Sequence, residues 1–430
     1  MMKVFKNINQ EKWEALTERQ TINKDNLNQT VQAILNDVRL NGDKALKSYS
    51  KRFDKVDLKT FLVSKSEIDS ANQLVTDELK QAINIAKQNI EAFHKAQFVD
   101  EAIIETTKGV QCWRKAVGIE KVGLYIPGGS APLFSTVLML GIPAILANCK
   151  EVILCTPANK QGKVSPAIVY TANLIGISKI YKIGGAQAIA AMAFGTETVP
   201  QMYKIFGPGN QFVTKAKELI QQSGIAIDMP AGPSEVLIIA DTTGNPAYIA
   251  ADLLSQAEHG ADSQVILLSD KETVLTQSLI ELEKQVVELP RAEIAKKALL
   301  NSKAILLKNI NDCIKFSNLY APEHLIIASD SASDYIDDIV NAGSVFLGNY
   351  SCESAGDYAS GTNHTLPTNG FARSYSGVSL ESFQKKITFQ KLSIEGIKAI
   401  GPSIEIMAEA EELFAHKNAV TIRLKDVNNV

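Results

Sequence analysis

The stretch Val122-Gly123-Leu124-Tyr125-Ile126, followed by Pro127-Gly128-Gly129-Ser130, decides the fold. A short apolar run predicts a buried strand, and the Pro/Gly cluster after it predicts a turn. A mostly helical stretch over 133–147 then leads to another apolar run at 152–155. Strands that alternate with helices in this way predict βαβ units and a parallel sheet.

The same alternation of strands and helices continues along the chain and predicts where the other strands lie. The block 125–235 has the pattern of one Rossmann-like unit, whose glycine-rich turns suit phosphate but contain no GxGxxG fingerprint. A second unit begins at 236, whereas residues 1 to about 55 and most of 379–430 are predicted to be helical. Ser64, with Glu67 three residues later, predicts a capping box at the start of a helix. The predicted strands are 122–126, 152–155, 179–183, 203–206, 236–240, 265–268, 304–307, 324–328, 345–347 and 387–389. The predicted fold class is α/β, with two Rossmann-like parallel-sheet domains, a helical N-terminal segment and a helical C-terminal arm.

A chain of 430 residues is too long for one ordinary core. We expect an N-terminal helical segment over 1–20, a discontinuous first α/β domain over 21–124 and 236–378, a second domain over 125–235, and a C-terminal arm over 379–430. Within the first domain, residues 349–377 are rich in Ser, Gly, Asn and Tyr, which predicts a long loop that is functional or disordered.

The amino-acid composition argues against several classes of protein. Apolar residues make up 45% and charged residues 21%, as in ordinary globular proteins, and a net charge of −3 argues against a nucleic-acid surface. The first seven residues hold no apolar core of signal-peptide length, and no apolar run is long enough to span a bilayer, so we expect a cytoplasmic protein. The five cysteines are scattered without a CxxC pair, which argues against a disulfide framework or a thiolate zinc site.

Gln256 and His259 lie at the end of a predicted helix that Pro246 opens and Gly260 closes. Side chains three residues apart share one helix face, so an imidazole and an amide oxygen point the same way. This arrangement is half of a mixed nitrogen/oxygen metal site. The alternative is that His259 merely favours the helix C-terminus electrostatically.

Glu323 and His324 follow Ala321-Pro322 and open a buried strand. A carboxylate beside an imidazole at the mouth of an α/β sheet is a plausible acid/base pair, but neighbours in extended backbone point to opposite sides. Both can face one site only if the backbone turns, which Pro322 favours. The alternative is an edge-strand pair with a structural role.

Five histidines occur in the chain, and four of them lie beside Gly, Pro, Asn or acidic residues at the ends of elements. The remaining one, His94, is predicted to be a surface residue. The clustering favours a site of two histidines, one carboxylate and one amide, which suits zinc, although manganese or cobalt would also fit. The predicted ligands are Gln256, His259, Asp357 and His416.

Seven short motifs occur in one order along the chain. They are VGLYIPGG at 122–129, GGAQA at 184–188, FGPGN at 206–210, GPSE at 232–235, SQAEHG at 255–260, APEHL at 321–325 and AHKNA at 415–419. On these motifs the chain resembles the histidinol dehydrogenases over essentially its whole length.

The resemblance implies an activity and a set of roles. The family oxidises L-histidinol to L-histidine, the end of histidine biosynthesis, with two NAD⁺, and its members are intertwined homodimers. On this chain it implies one zinc ion per subunit, held by Gln256, His259, Asp357 and His416, with NAD contacts from Tyr125, Gln187 and Asn210. Substrate contacts are implied for Ser234, Glu411, His324 and the zinc ligands, with Glu411 and His416 reaching the partner's site from a C-terminal dimerisation arm.

The implied mechanism uses His324 as the base in both oxidations and Glu323 to activate water on the aldehyde. A rival route, through a thiohemiacetal on Cys112 or Cys149, is disfavoured because neither cysteine lies in a site motif. Two other functions stay open at this point. One is a paralogue that oxidises another small alcohol such as sulfopropanediol, and the other is a metal-bound structural or regulatory protein without turnover.

Overall fold

The computed structural model describes residues 2–6, 8–19, 25–128 and 132–428. The predicted turn at 127–130 lies partly outside these residues, as does the predicted boundary at residue 20. The strands are β1 Lys3–Lys6, β2 Ile104–Thr107, β3 Val110–Gly118, β4 Lys121–Tyr125, β5 Glu151–Thr156, β6 Ile180–Lys182, β7 Lys204–Phe206, β8 Ala226–Ile227, β9 Glu235–Ala240, β10 Gln264–Ser269, β11 Lys303–Leu306, β12 His324–Ala328, β13 Ser344–Leu347 and β14 Gln384–Leu392.

The α-helices alternate with the strands over most of the chain. They are α1 Trp13–Thr17, α2 Asp25–Tyr49, α3 Lys65–Leu74, α4 Asp77–Lys95, α5 Phe134–Leu146, α6 Pro166–Leu174, α7 Gly185–Phe194, α8 Gln211–Ile220, α9 Pro246–Ala257, α10 Glu272–Val286, α11 Ala292–Leu300, α12 Ile310–Tyr320, α13 Glu353–Tyr358, α14 Ile394–Ala410 and α15 Phe414–Asn428. In the described part of the chain, none of these helices is long and apolar enough to cross a membrane.

Two parallel sheets form the framework of the described residues. The larger has the order β1-β11-β10-β9-β12-β13, and the smaller has the order β6-β5-β4-β7-β8. The central strands β9, β10 and β12 are buried along their whole length, as expected when helices cover both faces of a parallel sheet. The α/β fold class is confirmed, and every strand predicted from the sequence is present.

The helices before β4 pack against the smaller sheet. Val31 and Leu35 of α2 share a buried cluster with Ile189 of α7, and Ile83 and Ile90 of α4 share another with β4 and α5. The smaller sheet is therefore covered both by helices that precede β4 in the chain and by helices that follow it. The domain boundaries stay a prediction.

The capping box predicted at Ser64 is confirmed. The Ser64 hydroxyl accepts a hydrogen bond from the Glu67 amide, and the Glu67 carboxylate accepts one from the Ser64 amide. His94, however, is fully buried, so the prediction of a surface position was wrong. Its Nδ1 bonds to the Ile90 carbonyl 2.9 Å away, and its Nε2 lies 3.3 Å from the Asn363 amide nitrogen, which supplies the polar partners that burial requires.

The helical prediction for the first 55 residues was wrong at its start, because Lys3–Lys6 pairs with β11 as an edge strand. The structure also contains an antiparallel sheet, β14-β3-β2, that was not predicted as a sheet. Its strand Gln384–Leu392 is longer than the strand predicted at 387–389. Most side chains of β1 and β14 are exposed, so these strands lack the apolar pattern that reveals a buried strand.

Candidate active site and metal centre

The candidate site lies where the amino ends of β9 and β12 meet the end of α9. Val236 and His324 are register partners in neighbouring parallel strands, so the residues just before them lie side by side. Helix α9 returns from the far edge of the sheet, which brings Gln256 in its last turn to the same edge. His259 follows in the turn after α9, since the helix ends two residues earlier than the predicted pattern required.

The backbone before β12 turns as the Glu323–His324 pair requires. Ala321 has a φ of 56°, which ends α12 and redirects the chain. Both side chains then reach one place, with Glu323 Oε2 3.6 Å from His324 Nδ1. Glu323 Oε2 also accepts a hydrogen bond of 2.8 Å from the Glu235 amide.

One nitrogen of His324 is held and the other is free. Nδ1 lies 3.0 Å from the Glu235 carbonyl, which accepts only, so Nδ1 carries the proton and donates. Nε2 is buried without a hydrogen-bond partner among the described residues, 3.6 Å from Asp357 Oδ1. Burial lowers the pKa of His324, but the charges of Glu323 and Glu353 outweigh it and raise that pKa well above its usual value.

Glu353 is a site residue that the sequence analysis missed. It lies four residues before Asp357 on α13, so both carboxylates project from one helix face toward His324. The candidate ligand atoms of these three residues lie within 4.8 Å of one another. Burial raises the pKa of Glu353 to about 8. The i,i+4 spacing could have revealed Glu353, but the sequence analysis predicted a loop over 349–377, where the structure has a short helix.

Gln256 is fixed by Glu353. Its Nε2 donates to Glu353 Oε1, and the Ser255 hydroxyl donates to Glu353 Oε2 at 3.3 Å. Gln256 Oε1 is then buried with no hydrogen-bond partner in the described part of the chain. Buried polar atoms are nearly always satisfied, so an unpartnered amide oxygen and an unpartnered imidazole nitrogen in one cluster point to a ligand between them.

A metal ion fits this donor set. Imidazole, carboxylate and amide groups suit zinc and similar divalent ions. The positive charge of an ion would also oppose the effect of the surrounding carboxylates on the pKa of His324. For Asp357, burial raises the pKa, but the nearby His324 ring and the further influence of His364 and His259 outweigh burial and lower it. The structure thus groups His324, Glu353 and Asp357 with Gln256.

His259 and Ser234 line an adjoining cavity of about 770 Å³. This cavity lies between the two parallel sheets, since Asn210 and Gly209 follow β7 on one wall and Ser234 precedes β9 on the other. His259 is exposed, and its charge acts on Asp357. Ser234 and His259 therefore share this cavity, and His259 lies near enough to Asp357 to influence it electrostatically.

Glu411 and His416 are not brought to this region by the chain itself. Both are exposed: Glu411 directly follows α14, and His416 lies in the first turn of α15. These two helices pack on each other. No hydrogen bond or ion pair within the described residues joins either of them to Asp357 or Gln256. Their assignment to the site therefore depends on a second copy of the chain and stays a prediction.

The three predicted NAD contacts line a second cavity, of about 670 Å³. Tyr125 ends β4, Gln187 lies in the first turn of α7, and Asn210 caps α8 by accepting from the amides of the second and third residues after it. The Tyr125 hydroxyl oxygen accepts a 3.0 Å hydrogen bond from the Gly185 amide. A Cβ at Gly128 or Gly184 would collide with Pro157, so the glycines keep this cavity open. Asn210 lines both cavities and joins them.

The profile of the family described as Histidinol dehydrogenase matches residues 17–424. The chain belongs to the histidinol dehydrogenase family. It is 57% identical to the Histidinol dehydrogenase of Bacteroides thetaiotaomicron over 99% of both chains, and 52% identical to that of Escherichia coli over 93% of this chain and 92% of the relative. The crystal structure of Histidinol Dehydrogenase from Elizabethkingia anophelis superposes with a TM-score of 0.98, at 62% identity and 99% coverage of both chains.

These matches confirm the family that the motifs predicted and place the chain among the oxidoreductases. Similarity at this level over the whole length does not favour the alternative of a paralogue for another small alcohol. It also disfavours a structural or regulatory protein without turnover. The roles of individual residues stay predictions.

Proposed function

We propose that this protein oxidises L-histidinol to L-histidine through L-histidinal, in two NAD-dependent steps at the cluster around His324. The observation that supports this proposal most directly concerns the His324 imidazole. Its Nδ1 is fixed on the Glu235 carbonyl, while its Nε2 is buried and unpartnered among the described residues. An imidazole held in one tautomer with its basic nitrogen aimed into a site is arranged for proton abstraction.

His324 Nε2 takes the hydroxyl proton of the alcohol in the first step. Glu323 deprotonates the water that adds to the aldehyde, and His324 Nε2 takes the hydroxyl proton of the hydrate in the second. The 3.6 Å separation of Glu323 Oε2 and His324 Nδ1 lets the two residues serve one bound molecule. NAD, when bound, accepts the hydride in each step.

Two partners complete the proposed site. Zinc, one ion per subunit, would be held by Gln256, His259, Asp357 and His416 of the partner subunit, and it supplies a fixed charge that orients the substrate's imidazole and amine. Ser234 and Glu411 of the partner subunit would bind the substrate beside these ligands. Tyr125, Gln187 and Asn210 would contact NAD. The cytoplasmic location stays a prediction.

The C-terminal arm supports a homodimer. Ile406, Met407, Phe414 and Ile422 of its two helices are each more than half exposed. Such an apolar surface on a helical hairpin is typical of a protein interface. Glu411 and His416 lie between Met407 and Ile422 in sequence. Dimerisation through this surface would therefore bring both residues toward the site of the other copy.

The thiol route gains no support from the cysteines. Cys149 is buried against the Phe383 carbonyl, and burial raises its pKa to about 11, which keeps the thiol protonated and unreactive. Cys112 lies on β3 of the antiparallel sheet. Neither lines the two cavities that hold the predicted contacts.

The test combines metal analysis of the purified protein with histidinol-dependent NADH formation. We expect one zinc per subunit and steady turnover, with His324→Asn losing at least about a hundredfold in kcat while it keeps its zinc. The double variant Cys112→Ala, Cys149→Ala is the matched control and should keep full activity. Absence of NAD reduction at millimolar histidinol would overturn the proposal.

A further inference from the structure

One wall of the proposed NAD cavity is built by a π-helical turn, Ser50–Asp54, that continues α2. π-helical turns are rare and are frequent at functional sites. Lys55 ends the turn with a φ of 58°, and the Val56 amide bonds back to the Ser50 carbonyl. The turn places Phe53 and Asp54 in the lining of the cavity, together with Tyr125 and Gln187.

Asp54 is the one acidic side chain among the described residues that line this cavity. Its Oδ2 is buried and has no hydrogen-bond partner within the described residues. Burial raises the pKa of Asp54 to about 6, and no basic side chain lowers it. Lys55, the next residue, donates to the Arg52 carbonyl at 2.8 Å. Arg52, the one basic side chain among the described residues of this lining, is exposed and lies over the Phe53 ring, 5.1 Å from its centroid. A desolvated carboxylate without donors is costly, and a ligand that brings hydroxyl donors removes that cost.

The position of Asp54 indicates which part of a bound dinucleotide this side chain would contact. Asn210 lines both cavities, so a dinucleotide that reaches His324 with its nicotinamide must pass Asn210. Asp54 lines only the cavity on the far side of Asn210, where the adenosine half would remain. Burial raises the pKa of the Tyr125 hydroxyl, and the charge of Asp54 adds to that rise, so the two lining residues lie near each other.

We infer that the Asp54 carboxylate accepts hydrogen bonds from the 2′- and 3′-hydroxyls of the adenosine ribose and thereby selects NAD over NADP. This inference rests on the proposed function, which places NAD in this cavity. In ordinary dinucleotide folds an acidic residue after the second strand of the unit has this role. Here that strand, β5, ends in Thr156 and is followed by Pro157-Ala158-Asn159, without an acidic residue. Asp54 supplies the carboxylate from outside the unit, and a 2′-phosphate beside it would be repelled.

The test compares Asp54→Asn with the wild type, using NADH and NADPH fluorescence titrations without turnover and steady-state kinetics with histidinol. We expect the Kd for NADH to rise about tenfold, as for the loss of hydrogen bonds to a charged group. NADPH binding should be unchanged or tighter, kcat should change less than twofold, and the Tm should not fall. Asp57→Asn, three residues away at an exposed pair with Lys51, is the matched control.

Each result decides between explanations. A Kd for NADH within twofold of the wild type, in both Asp54→Asn and Asp54→Ala, overturns the inference. Equal weakening of NADH and NADPH also overturns it, because Asp54 would then contact a group that both share, such as the adenine amine. Failure of the wild-type protein to bind NADH overturns the proposed function together with the inference. Normal NADH binding and turnover in the wild type, with an unaltered Asp54→Asn variant, overturns the inference alone.

Discussion

The side-chain amide of Gln256 donates a hydrogen bond to the carboxylate of Glu353, which leaves the Gln256 oxygen buried and unpartnered in the described part of the chain. A primary amide can rotate, so its oxygen faces the cluster only while Glu353 holds the nitrogen. Partners of this kind fix the orientation of metal ligands in many proteins. Glu353 therefore fixes the orientation of Gln256, which is the orientation that the proposed metal ion requires.

Replacing Glu353 by Gln should weaken metal binding by about 10- to 100-fold, because the neutral amide removes a negative charge beside the ion and offers Gln256 a donor as well as an acceptor, so the Gln256 amide is no longer held in one orientation. The measurement is metal affinity by competition with a chelator, with kcat followed at saturating metal. Glu293→Gln, at an exposed pair with Lys296, provides the control and should keep wild-type affinity. Unchanged affinity in Glu353→Gln would show that Gln256 is oriented by other contacts.

Replacing Glu323 by Gln should separate the two oxidations. The oxygen of the new side-chain amide can still accept from the Glu235 amide, so the local structure should persist. The amide cannot take a proton from water, so oxidation of histidinal should fall by about a hundredfold or more while oxidation of histidinol falls less. Single-turnover assays with each substrate make the comparison. An equal loss in both steps would assign Glu323 to a shared role such as holding His324.

The sequence predicted those features that depend on neighbouring residues. The Ser64 capping box and the buried strands around Leu124 and Val236 were all foreseen, since each follows from local spacing or from a run of apolar residues. The turn before His324 was also expected from Pro322. The three predicted NAD contacts came from the resemblance, and in the structure these residues line one cavity. Their contact with NAD stays a prediction.

The features that were missed depend on contacts between distant parts of the chain. Glu353 meets Gln256 across 97 positions, and Lys3–Lys6 joins its sheet through β11 about three hundred positions away. His94 was predicted at the surface because it is a polar residue near the end of a helix. It is buried instead, and the Asn363 amide supplies a polar partner for its ring. No pattern within a short window carries such information, because each element is stabilised by tertiary packing.

The buried pair of Arg19 and Glu235 should matter strongly for stability. Arg19 donates to both carboxylate oxygens of Glu235 and lies over the Tyr320 ring at 3.9 Å. Arg19→Met leaves a buried carboxylate without its partner, which should lower the free energy of unfolding by about 3–5 kcal/mol. Urea denaturation measures the change. Lys150→Met removes an exposed ion pair with Glu120, so it should be nearly silent, and equal effects of the two changes would contradict the argument.

Asp252 should make stability depend on pH. Burial raises its pKa to about 7 in the folded protein. A raised carboxyl pKa means that the folded state binds the proton more tightly, so stability is lost as pH rises from about 4 to about 7. Asp252→Asn removes this loss, so the variant should gain stability over the wild type by about 1 kcal/mol or more at pH 8 and little at pH 4.5. Urea denaturation of metal-free protein at the two pH values checks this, with the exposed Asp57→Asn as control.

Mixing two inactive variants should restore activity if His416 completes the site of the other copy. His416 is exposed and is not among the described residues whose candidate ligand atoms cluster around His324. If each residue is needed for a complete site, His416→Asn and His324→Asn should each be inactive as homodimers. In a mixed dimer, the chain with intact His324 meets a partner with intact His416, and one of the two sites is whole. Random pairing at equal amounts should therefore restore about a quarter of wild-type activity, as follows for a twofold-symmetric dimer. If both residues served the same chain's site, no mixture would contain a complete site and activity would stay at the level of the separate variants.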